Sequence, residues 1–136
     1  REKTPLKFPG VETEEARLET GDYTVKGFED RFAVERKSIN DLATSVGSDR
    51  NRFEAEIRRA QDFDEFAVVV EGTRDDVRNE RYYSNVHPNS VLGTTSKWPW
   101  KYDRLQFEWA GDPEGAAQET LRLLDRWYLK AASDLF

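Results

Sequence analysis

Asp22, Glu35 and Lys37 are the residues of this 136-residue chain whose types and spacing could do chemistry. Asp22 stands in Gly21-Asp22-Tyr23, while Glu35 and Lys37 flank Arg36 in Val34-Glu35-Arg36-Lys37, with Asp41 four positions further on. Two carboxylates and an amine of this kind can hold a divalent cation beside a polarised water, which is equipment for hydrolysing a phosphodiester. A Glu-x-Lys pair on a strand is also the ordinary pattern of solvated cross-strand charges. An opposed aspartate on a neighbouring strand is what separates the two readings.

The elements that would position these residues follow from periodicity. Residues 22–26 and 32–37 both alternate polar and apolar, the period of a half-buried strand, and Gly27-Phe28-Glu29-Asp30-Arg31 joins them. The spacing predicts a hairpin over 20–37 turning between Phe28 and Glu29, with Asp22 opposite Glu35, Tyr23 opposite Val34 and Val25 opposite Phe32. Tyr23, Val25, Phe32 and Val34 then share a core face, and Asp22, Thr24, Ala33, Glu35 and Lys37 share the other. Opposed Cβ atoms lie about 5 Å apart, where two carboxylates repel by about 3 kcal/mol at an effective dielectric near 20. An Mg²⁺ or Mn²⁺ ion between them converts that repulsion into binding energy.

The run Gly21-Asp22-(x)-Glu35-Arg36-Lys37-(x3)-Asp41 resembles the signature of the XPF family of structure-specific DNA endonucleases, within the wider PD-(D/E)xK nuclease fold. Ser38-Ile39-Asn40-Asp41-Leu42, Arg52-Phe53-(x2)-Glu56, Phe66 to Gly72, Pro88 to Gly93 and Phe107-Glu108-Trp109-Ala110 extend the similarity over most of the chain. The copy looks most like the compact, stand-alone versions of the domain. The resemblance implies a single XPF-type nuclease domain over 1–136, of α/β class: a three-layer α/β/α restriction-endonuclease-like fold with a mixed central sheet. It also implies an Mg²⁺- or Mn²⁺-dependent endonuclease preferring branched or flap DNA, in repair or recombination, often as a dimer. Asp22, Glu35 and the backbone carbonyl of Arg36 would hold the metal, Lys37 would orient the attacking water, and Arg36, Lys37, Arg52 and Arg59 would meet DNA. The family pattern opens with a buried strand ending in Asp-x-Arg-Glu. This sequence begins at Arg1-Glu2, so Glu2 is a supporting residue and the first strand is expected to be missing or truncated.

Composition sets the frame. The length suits one domain with a real core. Cysteine is absent, which excludes a disulfide framework and thiolate metal sites. No apolar run nears 18 residues and there is no leader pattern, so the expectation is an intracellular protein of cytoplasm or nucleoid without a membrane contact. The net charge of −6 argues against strong sequence-independent DNA affinity. Arg36, Lys37, Arg50, Arg52, Arg58 and Arg59, all within 24 positions, offset it locally.

Further along, Ser38 starts a short helix, and a second spans about 50–62 with Phe53, Ile57 and Ala60 as a buried stripe. Beside it Arg52, Glu56 and Arg59 form a second stripe, either reaching phosphates and the metal site or making an ion-pair face. Asp41, three residues after Ser38, either closes a capping box or supports the metal from outside. Phe66–Val70 reads as a strand covered on both sides. Residues 73–89 form a helix or ordered loop, and Ser90 caps a short helix that Pro99 ends. A last strand at 105–109 precedes a helix capped by Asp112-Pro113. That helix presents Ala117, Leu121, Leu124, Trp127 and Tyr128 to the core or to a homodimer partner. His87 alone cannot build a histidine zinc site and reads as structural. Trp98 and Trp100 either pack or stack on unpaired bases. Two other function classes remain: a non-catalytic DNA-binding scaffold subunit, and a PD-(D/E)xK nuclease acting on plain duplex.

Overall fold

A computed structural model of the chain describes residues 6, 8, 10, 12–14, 16 and 18–134. Glu2 lies outside them. The fold is α/β, built on three parallel strands in the order β1 (Phe32–Ser38), β2 (Glu65–Glu71), β3 (Leu105–Trp109). Parallel strands need crossovers, and helices supply them. α1 (Ile39–Val46), α2 (Arg50–Arg59) and a 3-10 turn (Ala60–Asp62) link β1 to β2, and α3 (Arg74–Arg78) and α4 (Pro88–Lys101) link β2 to β3. α5 (Pro113–Ser133) follows β3.

Strand alternation sends successive side chains to opposite faces. Ala33, Phe66, Val68, Val70 and Leu105 meet Leu42 of α1, Phe53 and Ile57 of α2, and Val91 and Trp98 of α4. Phe32, Val34, Ala67 and Val69 meet Ala116, Leu123, Leu124, Trp127 and Ala131 of α5. Phe66 to Val70 are all fully buried, as a doubly covered central strand requires.

Four expectations differ from the structure. The hairpin reduces to one antiparallel bridge, Tyr23 with Val34, in the predicted register. Beyond it the Thr24 hydroxyl donates to the Phe32 carbonyl at 2.6 Å, and the Phe28 amide turns back to Val25 at 2.8 Å, so no second strand forms. The expected mixed sheet is therefore parallel among the described residues, apart from that bridge. α4 begins at Pro88, not Ser90, because the His87 imidazole accepts from the Asn89 amide and caps it. Pro99 lies inside that helix and removes one i→i−4 hydrogen bond without ending it, and the helix runs two residues past it. Finally, α5 buries Ala116, Thr120, Leu123, Leu124, Trp127 and Ala131, while Leu121, Tyr128 and Leu129 are exposed. Among the described residues no helix is long and apolar enough to cross a membrane.

Candidate active site

β1 is an edge strand, and its outer backbone groups need partners. The segment around Gly21–Tyr23 supplies them. The Asp22 and Tyr23 amides donate to the Val34 carbonyl at 2.8 and 3.0 Å, and the Val34 amide donates to Tyr23 at 2.8 Å. Two residues on, the Arg36 amide donates to the Asp22 carboxylate at 2.8 Å. The Asp22 side chain therefore replaces a ladder rung at the end of the bridge, opposite Glu35. Gly21 permits this approach. It takes φ +85°, and a Cβ there would stand 2.7 Å from the buried Ala33 Cβ.

Glu35 and Lys37 share the strand face of Ala33, and their side chains meet at 3.6 Å (Nζ to Oε2). Their side chains are only 12% and 13% exposed, which a solvated surface pair would not be. The Lys37 ammonium lies 5.0 Å from the centre of the Phe53 ring, so an aromatic from α2 roofs it. Phe53 read from sequence as a core residue; its second duty as the neighbour of Lys37 carries no separate sequence signal. Asp22 is exposed at the rim. No group of three or more His, Cys, Asp or Glu converges among the described residues, so a cation here would rely on Asp22, Glu35 and a backbone oxygen. That donor set is hard oxygen throughout, which suits Mg²⁺ or Mn²⁺.

The Arg36 side chain parts from Glu35 and Lys37. Alternation turns its side chain to the opposite face, where its guanidinium pairs with Glu71 of β2 at 2.9 Å. Burial alone would lower the pKa of that guanidinium. Hydrogen bonding and the negative charge of Glu71, with Tyr23 adding to both, outweigh burial and hold it raised. The Arg36 side chain thus ties β1 to β2 on the α5 face.

The remaining site residues scatter around this centre. Ser38 caps α1 by accepting from the Asp41 amide at 3.1 Å, one half of the expected capping box, and Asp41 sits in the first turn. Arg52 is exposed and paired with Asp49 at 2.7 Å; Arg59 is exposed, and Glu56 is half-buried. The run of six basic residues does not form one patch: Arg36 goes to Glu71, Arg58 to Glu54 and Arg50 onto Trp98. Trp98 packs in the core and Trp100 is exposed.

The ERCC4 domain family model matches residues 1–123. No curated protein matches the chain significantly. Among solved structures, XPF from Aeropyrum pernix is similar with a TM-score of 0.61 and 26% identity, over 79% of this chain and 50% of that one. XPF from Aeropyrum pernix in complex with DNA is similar with a TM-score of 0.55 and 28% identity, over 84% and 52% respectively. The chain spans about half the length of these structures. On the strength of a family match covering nearly its whole length, the chain belongs to the ERCC4 domain family and carries an XPF-family nuclease domain.

Proposed function

We propose that this domain is a metal-dependent DNA endonuclease that hydrolyses phosphodiester bonds at branched or flap DNA. On this reading its layers make a restriction-endonuclease-like α/β/α fold. One observation carries the proposal: Asp22 is fastened to the Arg36 amide at 2.8 Å, alongside a poorly solvated Glu35–Lys37 pair at 3.6 Å. Bridge geometry also bears on the third ligand. Val34 directs both its N–H and its C=O toward Tyr23. Arg36, two residues on, has the same orientation, so its carbonyl faces the Asp22 edge. Asp22, Glu35 and that carbonyl would hold Mg²⁺ or Mn²⁺. When bound, the ion would neutralise charge on the phosphate and lower the pKa of the attacking water.

The residues of the chain do the rest. Lys37 would orient that water and bind a phosphate oxygen, its ammonium kept extended by the Phe53 ring. Arg36 would act through its backbone alone, with its side chain anchoring the strand. Arg52 and Arg59, exposed on α2, would meet DNA phosphates, Arg52 by exchanging Asp49 for a phosphate. Glu56 and Asp41 would support the centre from α2 and α1. A homodimer through α5 would use Leu121, Tyr128 and Leu129, because Trp127 is spent in the core.

Glu35→Ala and Lys37→Ala are expected to abolish nicking of a flap substrate in Mn²⁺ while far-UV circular dichroism shows the fold retained, with melting lowered because each removes one member of a poorly solvated ion pair. Unaltered nicking by either variant would remove the mechanism. Saturable Mn²⁺ heat in the unaltered protein, lost in Glu35→Ala, separates this reading from a scaffold that binds DNA without cutting it.

A further inference from the structure

A groove of about 600 Å³ opens between the start of α2 and one face of α4, away from Asp22 and Glu35. Arg50, Lys97 and Lys101 line it with Ser90, Thr94 and Gly93; Lys101 is paired with Glu54 at 2.8 Å, which leaves Arg50 and Lys97 as the groove's cations without an acidic partner among the described residues.

Arg50 is held there without an acidic partner among the described residues. Its Nη1 donates to the Thr94 hydroxyl at 2.8 Å and to the Val46 carbonyl at 3.3 Å, and its guanidinium carbon lies 4.9 Å from the Trp98 ring centre. A guanidinium fixed by stacking is pre-organised and keeps donors to spare. Lys97 is exposed and makes no ion pair among the described residues. Gly93 has nothing within 4 Å of where a Cβ would be, so a chain can approach the helix backbone closely. Three contacts connect the groove to the site: Lys37 on Phe53 at 5.0 Å, Phe53 on Trp98 at 5.6 Å, and Trp98 under Arg50 at 4.9 Å. These contacts place the groove no farther from Lys37 than a few nucleotides of one strand, at about 3.4 Å per step.

We infer that this groove is a second nucleic-acid contact, taking backbone phosphates of a DNA strand a few steps from the cleaved bond. The inference rests on the DNA reading above. Its test is binding without turnover: fluorescence anisotropy of labelled duplex and single-stranded DNA in EDTA, over a salt series. Lys97→Ala should flatten the log–log salt slope by about 0.9 on duplex or about 0.7 on a single strand, equally for unrelated sequences. Lys97→Glu should weaken binding further. Arg50→Gln should act in the same direction in samples whose melting confirms folding. If the unaltered chain binds DNA and Lys97→Ala keeps its slope and affinity, the groove contact is overturned and the cleavage reading stands. A groove made for an acidic protein partner gives that same result. If the unaltered chain neither binds nor cuts DNA, both fall.

Discussion

Replacing Gly21 by alanine tests whether the approach of Asp22 to β1 matters, and Gly27→Ala is its internal control. Both glycines have positive φ, +85° and +93°. A left-handed alanine costs about 1–2 kcal/mol, partly offset by about 0.4–1 kcal/mol from a stiffer unfolded chain. Gly27→Ala meets nothing within 4 Å and should lose only about 1 kcal/mol. Gly21→Ala must also resolve a contact of 2.7 Å to the Ala33 Cβ, where ordinary contacts begin near 3.4 Å. Ala33 is fully buried on a strand and cannot yield, so the segment beside Asp22 has to lift by most of an ångström. Overpacking of this kind adds about 1–3 kcal/mol, giving about 2–4 kcal/mol in total. With about 3–4 °C per kcal/mol for a domain of this size, Gly27→Ala should melt about 4 °C lower and Gly21→Ala about 8 °C lower or more. On the proposed reading, in which Asp22 holds the metal, displacing Asp22 by about 1 Å should also slow cleavage about a hundredfold. Thermal melts and single-turnover cleavage of a labelled flap read both effects. Equal melting and equal cleavage rates for the two variants would refute the reasoning.

The other predictions concern the surroundings of the site. Glu71→Gln strips the partner from a nearly buried guanidinium and should cost about 3 kcal/mol in urea unfolding. Arg36→Met combined with Glu71→Leu should cost less than the two single variants together. Glu54 is held below its ordinary 4.5 by hydrogen bonds from Lys101 and then Tyr102. Because the folded value is depressed, its stabilisation is present above 4.5 and lost as pH falls through the lowered value. The melting-temperature gap between the unaltered protein and Glu54→Gln should therefore narrow in acid. Trp98→Ala, which removes ring contacts to Phe53 and Tyr102, should cost about 3–5 kcal/mol, whereas Trp100→Ala should stay within about 0.5 kcal/mol in the same assay.

Much of the centre could be read from residue order because one register decides it. Tyr23 and Val34 are apolar residues with one core face to share, and the bridge between them carries Asp22 to Glu35. The uninterrupted apolar run of β2 and the Asp-Pro cap of α5 were equally legible, since each needs only local chemistry. The buried face of α5 was not. Apolar residues stand on both sides of its axis, and only the sheet decides that Ala116, Thr120 and Leu123 turn inward while Leu121 and Tyr128 turn out. Charge partners were hidden for a similar reason. Arg36 meets Glu71 and Arg50 meets Trp98 across tens of residues, so closeness in sequence does not show which cations face solvent together.

The single bridge at Tyr23–Val34 has a consequence for how much the connecting arc can vary. Thr24 and Phe28 hold the base of that arc, while Gly27, Glu29 and Asp30 at its tip are exposed. Lengthening a flexible arc raises its closure entropy by only about 0.6 kcal/mol per doubling. The tip between Glu29 and Asp30 is thus a natural insertion point, where a tag or dye-bearing peptide can join the chain while the aspartate and the Glu-x-Lys stay in register.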